Sequence, residues 1–318
     1  MKDSSLLQFI EVSKWFGRVL ALNQVTWTFH RGIVGLVGAN GAGKSTFLRL
    51  AAGLLRPTLG EVTIAGRNAW DWRSRRLLGY CPSTDSFFYD QSGEEFVYTM
   101  ARLCGLPRRI ARKQTEMTLQ RLGLSDLAHR PIYGYSKGMR QRIKLAQALV
   151  HQPPLLILDE PLAGIDPLGR HELIKLFHQL SHEGHSLIVS SHELQTLEQL
   201  TDQILLLSHG RVAAAGTIQE IRRQLADYPV TVRITVSSPR DFARHLVEWP
   251  EVIAIEWPRL SRQASCGTLL VRVQQPKEFF QRLTQFLAHN PWNISRVEPV
   301  DDSTHELLGY ILGGSGKT

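Results

Sequence analysis

The sequence predicts an α/β fold with a mostly parallel sheet and a helical insertion, followed by a small α+β unit. From residue 7 to about 216, short apolar runs alternate with helical patterns, which is typical of a buried parallel sheet. Between Glu94 and Gly123 the strand patterns are missing. From about residue 228 the order of the patterns becomes β-α-β-β-α-β.

The predicted first domain, residues 1–225, contains five strand patterns and three helix patterns outside the insertion. Strands are expected over 8–12, 33–37, 155–158, 186–190 and 204–207, and helices over 46–52, 168–182 and 193–200. The helical insertion is expected over about 85–150. It contains helix patterns over 93–106 and 107–124, and the second is opened by Pro107, a residue favoured in the first turn of a helix.

The predicted second domain, residues 228–318, is an accessory domain. Strands are expected over 229–238, 252–257, 268–275 and 293–300, helices over 239–249 and 276–290, and a loop over 261–267. This order is that of a ferredoxin-like split unit. A terminal helix is expected over 302–312, and the domain boundary near 216–229.

Length and composition exclude several classes of protein. The chain of 318 residues suggests about two domains. Lys and Arg total 37 against 29 for Asp and Glu, a net charge of +8 that favours anionic partners. Cys81, Cys104 and Cys266 form no C-x-x-C pair, so neither a disulfide framework nor a zinc site is expected. No apolar run approaches the ~20 residues of a membrane span, and no signal peptide is evident.

A glycine-rich loop carries the strongest chemical signal. It consists of Gly38, Ala39, Asn40, Gly41, Ala42, Gly43, Lys44, Ser45 and Thr46, which satisfies G-x-x-x-x-G-K-[ST] between a strand and a helix. Glycines let backbone N–H groups face phosphate, and the helix N-terminus adds partial positive charge. Lys44 is expected to reach the β- and γ-phosphates, and Ser45 to ligate Mg²⁺. The alternative is a chance glycine-rich turn.

Two carboxylates follow the apolar run 155–158. Asp159 at the strand tip is a candidate Mg²⁺ ligand, directly or through water, and Glu160 is a candidate general base for an attacking water. The alternative is an ordinary strand end with solvated acids.

A second anion site is predicted at Ser136 and Gly138. They precede an amphipathic helix whose Ile143, Leu145 and Ala146 are expected to face inward. The Ser136 hydroxyl, the Gly138 N–H and the helix dipole can all face phosphate. A plain capping turn is the alternative.

Together these motifs resemble the nucleotide-binding subunit of ATP-binding cassette (ABC) transporters over residues 7–216. The glycine-rich loop matches the family's Walker A motif and residues 155–160 its Walker B motif. Residues 136–141 fall at its signature and residues 163–166 at its D-loop, which ends with Asp166. His192 falls at its switch histidine, and Phe16 at the aromatic residue that stacks on adenine, with Trp15 as a competitor.

The resemblance implies a P-loop NTPase cassette that binds ATP and Mg²⁺. It implies that Lys44, Glu160 and His192 act in ATP hydrolysis, His192 by sensing the γ-phosphate. It also implies a head-to-tail dimer, in which the signature of one subunit completes the site of another and Asp166 links the two sites. A single phosphate loop and a single signature favour a homodimer.

The sequence departs from the family pattern at two motifs. Ser83 stands where the Q-loop glutamine is usual, and a serine is too short to reach Mg²⁺ and water in the same way. The signature has Tyr135, Lys137 and Met139 in place of Leu, Gly and Gln. This variant resembles export-type bacterial cassettes.

The function implied is the cytoplasmic ATPase subunit of a transporter, peripheral on the inner face of the cell membrane. It would drive export by a separate transmembrane permease subunit and meet the membrane only through that partner. The alternative is a soluble ABC-type ATPase acting on nucleic acid or ribosomes, and a third reading is a non-catalytic scaffold. No nucleic-acid partner is expected, because the sequence has no basic stripe interleaved with aromatic residues.

Three other segments have less specific patterns. The basic runs 73–76 and 108–113 are expected to be solvated surfaces, with contact to anionic headgroups as the alternative for the second. The terminal residues 313–318 mimic a phosphate loop, but no helix can follow them. We therefore expect a flexible terminus there.

Overall fold

The structure is a computed structural model that describes residues 5–221, 230–257, 267–289 and 292–299. Contacts between Cα atoms divide the chain into two compact units, Met1–Gly216 and Thr217–Thr318. Cys266, the predicted terminal helix at 302–312 and the terminal residues 313–318 lie outside the described residues, as does most of the predicted 261–267 loop. The predicted domain limits at 225 and 228 also lie outside them.

The elements of the first unit follow one another as a sequence of strands with helices between them. The strands are β1 (Leu7–Phe16), β2 (Val19–Phe29), β3 (Ile33–Val37), β4 (Leu59–Ile64), β5 (Arg67–Asn68), β6 (Leu78–Cys81), β7 (Leu155–Leu158), β8 (Ser186–Ser191), β9 (Gln203–Ser208) and β10 (Arg211–Thr217). The helices are α1 (Lys44–Ala51), α2 (Trp72–Arg75), α3 (Gly93–Leu103), α4 (Arg108–Arg121), α5 (Lys137–Leu149), α6 (Pro167–His182) and α7 (Leu194–Glu198). Short 3-10 turns cover Ser125–Leu127 and Ile132–Gly134. Residues 218–221, which belong to the second unit, are helical.

A six-stranded sheet in the order β10-β9-β3-β8-β7-β6 forms the centre of the unit. β3 pairs in parallel with β8 and β9, and β7 pairs in parallel with β6 and β8. The prediction of a mostly parallel sheet is therefore confirmed. Because the carboxyl ends of parallel strands meet at one edge, the residues after β3, β7 and β8 come together there.

A second, four-stranded sheet has the order β2-β1-β4-β5 and is antiparallel. Residues 8–12, expected among the strands of the parallel sheet, belong to β1 in this sheet, because Gly17 (φ +56°) allows a tight turn directly into β2. Phe9 of β1 stacks on Phe47 of α1 with ring centroids 4.2 Å apart. This stack joins the antiparallel sheet to the helix that follows the phosphate loop.

The insertion contains α3, α4 and α5, as expected. Ser92 and Glu95 form a capping box that starts α3. Pro107, expected in the first turn of the next helix, is instead its N-cap residue. Two other helices differ from expectation: α1 begins at Lys44 instead of residue 46, because Gly43 adopts a left-handed N-cap conformation, and α7 is shorter than 193–200.

The second unit has the observed order β-α-β-β-α-β. Its elements are β11 (Val230–Val236), α8 (Pro239–Val247), β12 (Val252–Glu256), β13 (Gly267–Val273), α9 (Pro276–His289) and β14 (Ile294–Pro299). The sheet order is β12-β13-β11-β14, with antiparallel pairing. Its core includes Val232, Phe242, Leu269 and Phe279. The ferredoxin-like assignment stays a prediction.

None of the helices in the described part of the chain is both long enough and apolar enough to cross a bilayer.

Candidate functional site

The phosphate loop connects β3 to α1 at the edge where the parallel strands end. Gly41 and Gly43 have φ angles of +85° and +104°, a region that L side chains rarely adopt. A Cβ at Gly38 would lie 2.5 Å from the carbonyl oxygen of Leu207. The sequence therefore needs glycine at these positions to hold the loop in this curvature.

Lys44 lies within the loop. Its side chain is buried, and its Nζ donates to the carbonyl oxygens of Gly38 (2.7 Å) and Ala39 (3.2 Å). Burial lowers the pKa of Lys44, while the carboxylates of Glu160 and Asp159 act in the opposite direction. The ammonium group thus lies at the base of the loop, beside two acids.

The loop forms one wall of a cavity of about 570 Å³. The lining residues are Val19, Leu20, Ala21, Ala39, Asn40, Gly41, Gly43, Lys44, Ser45, Thr46, Ser83, Glu160, Ala163 and His192. A loop of positive-φ glycines, a lysine and two hydroxyl residues at a helix start is chemically suited to a polyphosphate. Of the predicted loop residues, Gly38 and Ala42 support the loop from behind instead of lining the cavity.

Asp159 is 1% exposed and does not itself line the cavity. Ser190 donates to its Oδ1 (2.8 Å) and Ser83 donates to its Oδ2 (3.1 Å). Because Ser83 lines the cavity, its hydroxyl lies between the cavity and the buried carboxylate. Among the described residues, no group of three or more His, Cys, Asp or Glu side chains converges as a metal site.

Mg²⁺ commonly uses one or two protein ligands together with phosphate oxygens and water. Ser45 at the cavity wall and Asp159 behind Ser83 fit this limited donor set.

Glu160 and His192 form a hydrogen-bonded pair at the cavity. His192 Nδ1 lies 2.9 Å from Glu160 Oε2, and the His192 and Glu160 side chains are 46% and 20% exposed. The backbone N–H of Glu160 donates to Ser190 Oγ (2.8 Å), and the φ angle of Glu160 is +52°. A constrained carboxylate beside a partly exposed imidazole can polarise a water in the cavity.

Ser190 organises both acids, since its Oγ donates to Asp159 and accepts from the backbone of Glu160. In the sequence it is predicted only as part of a strand. The available signal was the pair of small hydroxyl residues, Ser190 and Ser191, directly before His192.

The loop after β6 is attached to the insertion. Lys144 of α5 is buried, and its Nζ donates to the carbonyl oxygen of Ser83 (3.2 Å) and lies 3.1 Å from Asp85. Arg140 of α5 also binds Asp85 (3.0 Å). Burial raises the pKa of Cys81, the last residue of β6, to about 12. Ser83 is therefore held by Asp159 through its hydroxyl and by Lys144 through its carbonyl oxygen.

The signature residues lie outside the cavity wall. Ser136 caps α5, with its Oγ accepting from the Met139 N–H (3.2 Å). Gly138 has open space around it, since the nearest atom to a Cβ at this position would be Ser136 Oγ at 4.0 Å. Tyr135 is buried and donates to the carbonyl oxygen of Leu127 (2.8 Å). The tyrosine thus has a packing role where the family pattern has leucine.

Asp166 and Phe16 also lie away from the cavity wall. Asp166 caps α6, and its carboxylate accepts from the Gly169 N–H (3.0 Å). Phe16 is 47% exposed at the end of β1, and its cross-strand neighbour Val19 lines the cavity. Trp15, the competing aromatic, lines a separate groove on the antiparallel sheet.

Comparison with known proteins identifies the family. Residues 22–163 match the family model described as ABC transporter. YxlF of Bacillus subtilis (strain 168), an uncharacterized ABC transporter ATP-binding protein, is 38% identical over 229 residues, 72% of this chain and 75% of that protein. Mouse ATP-binding cassette sub-family A member 7 is 35% identical over 208 residues, which cover 64% of this chain and 10% of that protein.

Solved structures agree. An ATP-binding subunit of an ABC transporter has a TM-score of 0.63 at 32% identity, covering 69% of this chain and 93% of that one. The dimeric cassette MJ0796, in a post-hydrolysis state bound to ADP and Pi, has a TM-score of 0.62 at 23% identity, covering 67% of this chain and 98% of that one. At that identity the second match shows the fold alone. With the P-loop cavity described above, these matches establish that the chain belongs to the family of ABC transporter ATP-binding proteins.

Proposed function

We propose that this protein binds and hydrolyses ATP to ADP and phosphate, and that this drives export by a separate transmembrane subunit. The observation that carries the proposal is the Glu160–His192 pair at the wall of the phosphate-loop cavity (2.9 Å). A carboxylate beside bound polyphosphate can orient water and accept its proton. The direction of transport rests on the resemblance of residues 135–139 to export-type signatures.

Each residue at the cavity has a distinct task in this proposal. The loop N–H groups and Lys44 hold the phosphates, Glu160 polarises the attacking water, and His192, held by Glu160, contacts the terminal phosphate. A bound Mg²⁺ would be held by Ser45 and, through a water, by Asp159, and it would neutralise phosphate charge. Most of the rate enhancement then comes from positioning and charge stabilisation.

The proposed working form is a head-to-tail homodimer. Ser136 and Gly138 lie outside the cavity wall of their own chain, and Gly138 has open space around it. A second copy facing the opposite way would bring these groups to the first copy's cavity. Two ATP molecules would then lie at the interface, and Asp166 would lie between the two sites. Closure follows if ATP binds the closed dimer more tightly than the open one.

The proposed location is the cytoplasmic face of the cell membrane, beside the transmembrane subunit. The family name and the similarity to ABC transporter ATP-binding proteins support this location.

Replacement of Glu160 tests the proposal. Glu160→Gln is expected to keep ATP binding, to slow hydrolysis by about 10²- to 10⁴-fold because the general base is lost, and to accumulate an ATP-bound dimer. Phosphate release and light scattering measure the two effects. Glu183→Gln, which removes a surface carboxylate paired with Arg121, is the matched control. Undiminished hydrolysis in Glu160→Gln would remove Glu160 from its role.

Replacement of Lys44 tests the phosphate loop separately. Lys44→Ala is expected to weaken nucleotide binding, measured by titration with a fluorescent ATP analogue. Unchanged affinity would contradict the assignment of the cavity to ATP.

A further inference from the structure

Arginine side chains cover the ring of Trp70 on the surface of the first unit. The Arg56 Cζ lies 4.5 Å from the ring centroid and the Arg75 Cζ lies 5.8 Å from it. Trp70 is 37% exposed, and both arginines are exposed. Such cation–π contacts hold long side chains in place, at about 0.5–1 kcal/mol each at exposed sites.

The same arrangement recurs at Trp72, two residues further on. The Arg76 Cζ lies 4.6 Å from its ring centroid and the Arg73 Cζ lies 5.3 Å from it. Trp72 is 53% exposed. In residues 70–76 two tryptophans are therefore followed by three arginines, and the side chains of these arginines lie over the two rings.

The local fold directs these arginines outward. Asp71 is the only acid between residues 62 and 84. Its carboxylate caps α2 by accepting from the Arg73 N–H (2.9 Å). Ser74 is buried, while its neighbours Arg73 and Arg75 are exposed. The single acid of the segment is thus used in a cap.

Some arginines elsewhere in the described chain bind carboxylates, as Arg121 does with Glu183 and Arg142 with Glu172. The salt bridges between described residues include none of the four arginines on Trp70 and Trp72. Each guanidinium group carries five N–H donors. Since no carboxylate among the described residues pairs with these four arginines, their donors can bind an external anion.

A second basic segment lies next to the first. A Cβ at Gly105 would lie 3.4 Å from Arg76 Nη2, and α4 begins three residues later. The first half of α4 carries four exposed basic residues, namely Arg108, Arg109, Arg112 and Lys113. Residues 96–115 contain no acid. Basic residues near a helix N-terminus oppose the helix dipole, so an anion bound there would relieve an unfavourable interaction.

We propose that these residues form one surface, which binds the phosphate groups of an anionic phospholipid bilayer. This basic surface consists of Arg56, Trp70, Trp72, Arg73, Arg75, Arg76, Arg108, Arg109, Arg112 and Lys113. Planar guanidinium groups match phosphate in a bidentate fashion. Tryptophan suits the headgroup region, and clustered basic residues are attracted to anionic leaflets.

Lipid fits this surface better than nucleic acid does. A protein that binds single-stranded nucleic acid through its bases needs open aromatic faces on which the bases can stack. Here guanidinium groups lie against both indole rings. The proposal rests on the membrane-side location proposed above and adds a direct contact between this chain and lipid. It replaces the expectation that the chain meets the membrane only through its partner.

Vesicle binding by the full chain, without a transmembrane subunit, tests the proposal. We expect the protein to co-sediment with vesicles that contain phosphatidylglycerol and not with vesicles of phosphatidylcholine alone. Binding is expected to weaken as salt is added. Equal binding to both vesicle types, or to neither, would overturn the proposal, as would displacement from the vesicles by single-stranded RNA at lower concentration than by soluble phosphatidylglycerol.

Charge variants locate the contact. The double variant Arg73→Gln, Arg76→Gln is expected to bind anionic vesicles about thirty-fold more weakly. The variant Arg73→Lys, Arg76→Lys keeps the charge but loses the bidentate donors. Its affinity for anionic vesicles is expected to lie between that of the wild type and that of the glutamine variant. The control, Arg31→Gln with Lys175→Gln, removes two exposed charges elsewhere. An equal loss in the control would mean that net charge alone binds lipid, and would refute the proposed surface.

ATP hydrolysis by the same variants separates this proposal from the proposed function. We expect Arg73→Gln, Arg76→Gln to hydrolyse ATP at the unaltered rate, which also shows that it folds. An inactive wild-type chain that still binds anionic vesicles would contradict the proposed ATPase and leave the lipid contact supported.

Discussion

Ser83 connects the cavity to a buried acid through a single hydroxyl. Its Oγ donates to Oδ2 of Asp159 (3.1 Å), while Ser190 binds the other carboxylate oxygen. The backbone of Ser83 is in turn held by Lys144. Ser83, at the position of the family's glutamine, therefore orients the buried Asp159 through its hydroxyl.

Ser83→Ala is expected to raise the Mg²⁺ concentration needed for half-maximal ATP hydrolysis about tenfold, since groups that orient a metal ligand typically affect metal affinity to that extent. Ser83→Thr keeps the hydroxyl and serves as the control. The measurement is a Mg²⁺ titration at saturating ATP. An unaltered Mg²⁺ requirement in Ser83→Ala would show that the hydroxyl does not position Asp159.

His151 is the residue for which the structure indicates a pH effect on stability. Burial lowers its pKa, only partly offset by the hydrogen bond from Nε2–H to the carbonyl oxygen of Leu78 (3.0 Å), and Nδ1 is buried without a partner among the described residues. The folded state thus takes up a proton at this site less readily than the unfolded state, whose imidazole pKa is about 6.5.

We therefore expect His151 to make its full contribution to the free energy of unfolding above the pKa of the unfolded state. That contribution is expected to be lost as the pH falls through the lower pKa of the folded state. Urea unfolding over this range compares the wild type with His151→Gln, which does not titrate. The wild type is expected to lose more free energy of unfolding on acidification than the variant. Parallel pH profiles would contradict the assignment.

Single residues were predictable where the chemistry prescribes the residue type. A phosphate loop needs glycines and a lysine, so Gly41, Gly43 and Lys44 could be identified before the fold was known. Ser190 was harder to identify, because serine is common in strands and its hydrogen-bond partners, Asp159 and Glu160, follow a different strand.

At the scale of elements, β6 and α5 approach so closely that no side chain fits between them. A Cβ at Gly79 of β6 would lie 1.9 Å from the carbonyl oxygen of Ala148 in α5. This contact holds α5, the helix that Ser136 caps, against β6, the strand that leads to Ser83. The backbone of the two elements is in direct contact.

Gly79→Ala is expected to lower the free energy of unfolding by about 1–3 kcal/mol, because the strand and helix must separate to admit a methyl group. Gly134→Ala is the matched control, since nothing lies within 4 Å of its Cβ position. Chemical denaturation measures both. Equal stability of the two variants would contradict the close packing of β6 and α5.

The buried strands of the parallel sheet were predictable because they are continuous apolar runs. Strand β2 was not, because only Leu22, Val25 and Phe29 of its residues are buried, at spacings that do not follow the two-residue period of a strand. The helix start at Lys44 depends on the left-handed conformation of Gly43, which is a property of the loop and not of the apolar pattern that follows.

At the scale of the whole molecule, the cavity and its supporting residues lie in the first unit, which also has its own core around Phe9, Phe47 and Leu205. The second unit has a separate core around Phe242 and Phe279. Each unit therefore has the apolar packing that an independently folding domain needs.

A chain truncated after residue 228 is expected to retain ATP binding and hydrolysis within about threefold of the full chain, because all lining residues of the cavity are kept. Steady-state hydrolysis measures the activity, and light scattering with ATP reports whether dimers still form. The truncated Glu160→Gln chain is the control for background hydrolysis. Loss of activity on truncation would assign the second unit a direct role in the site.

The two-part organisation was predictable from the change in pattern near residue 228. The separation of the signature from its own chain's cavity was expected only through the family resemblance. Residue spacing does not report which groups lie on one side of a folded sheet, so the lining of the cavity required the structure.

The backbone of Glu160 has one last consequence. Its φ of +52° is a conformation that costs a residue with an ordinary side chain roughly 1–2 kcal/mol and that asparagine tolerates better. Glu160→Asn is therefore expected to melt a few degrees above the wild type in a thermal scan without nucleotide, although it would no longer turn over ATP. A lower melting temperature would argue against conformational strain. If Glu160 has its proposed role, stability and ATP hydrolysis therefore favour different residues at this position.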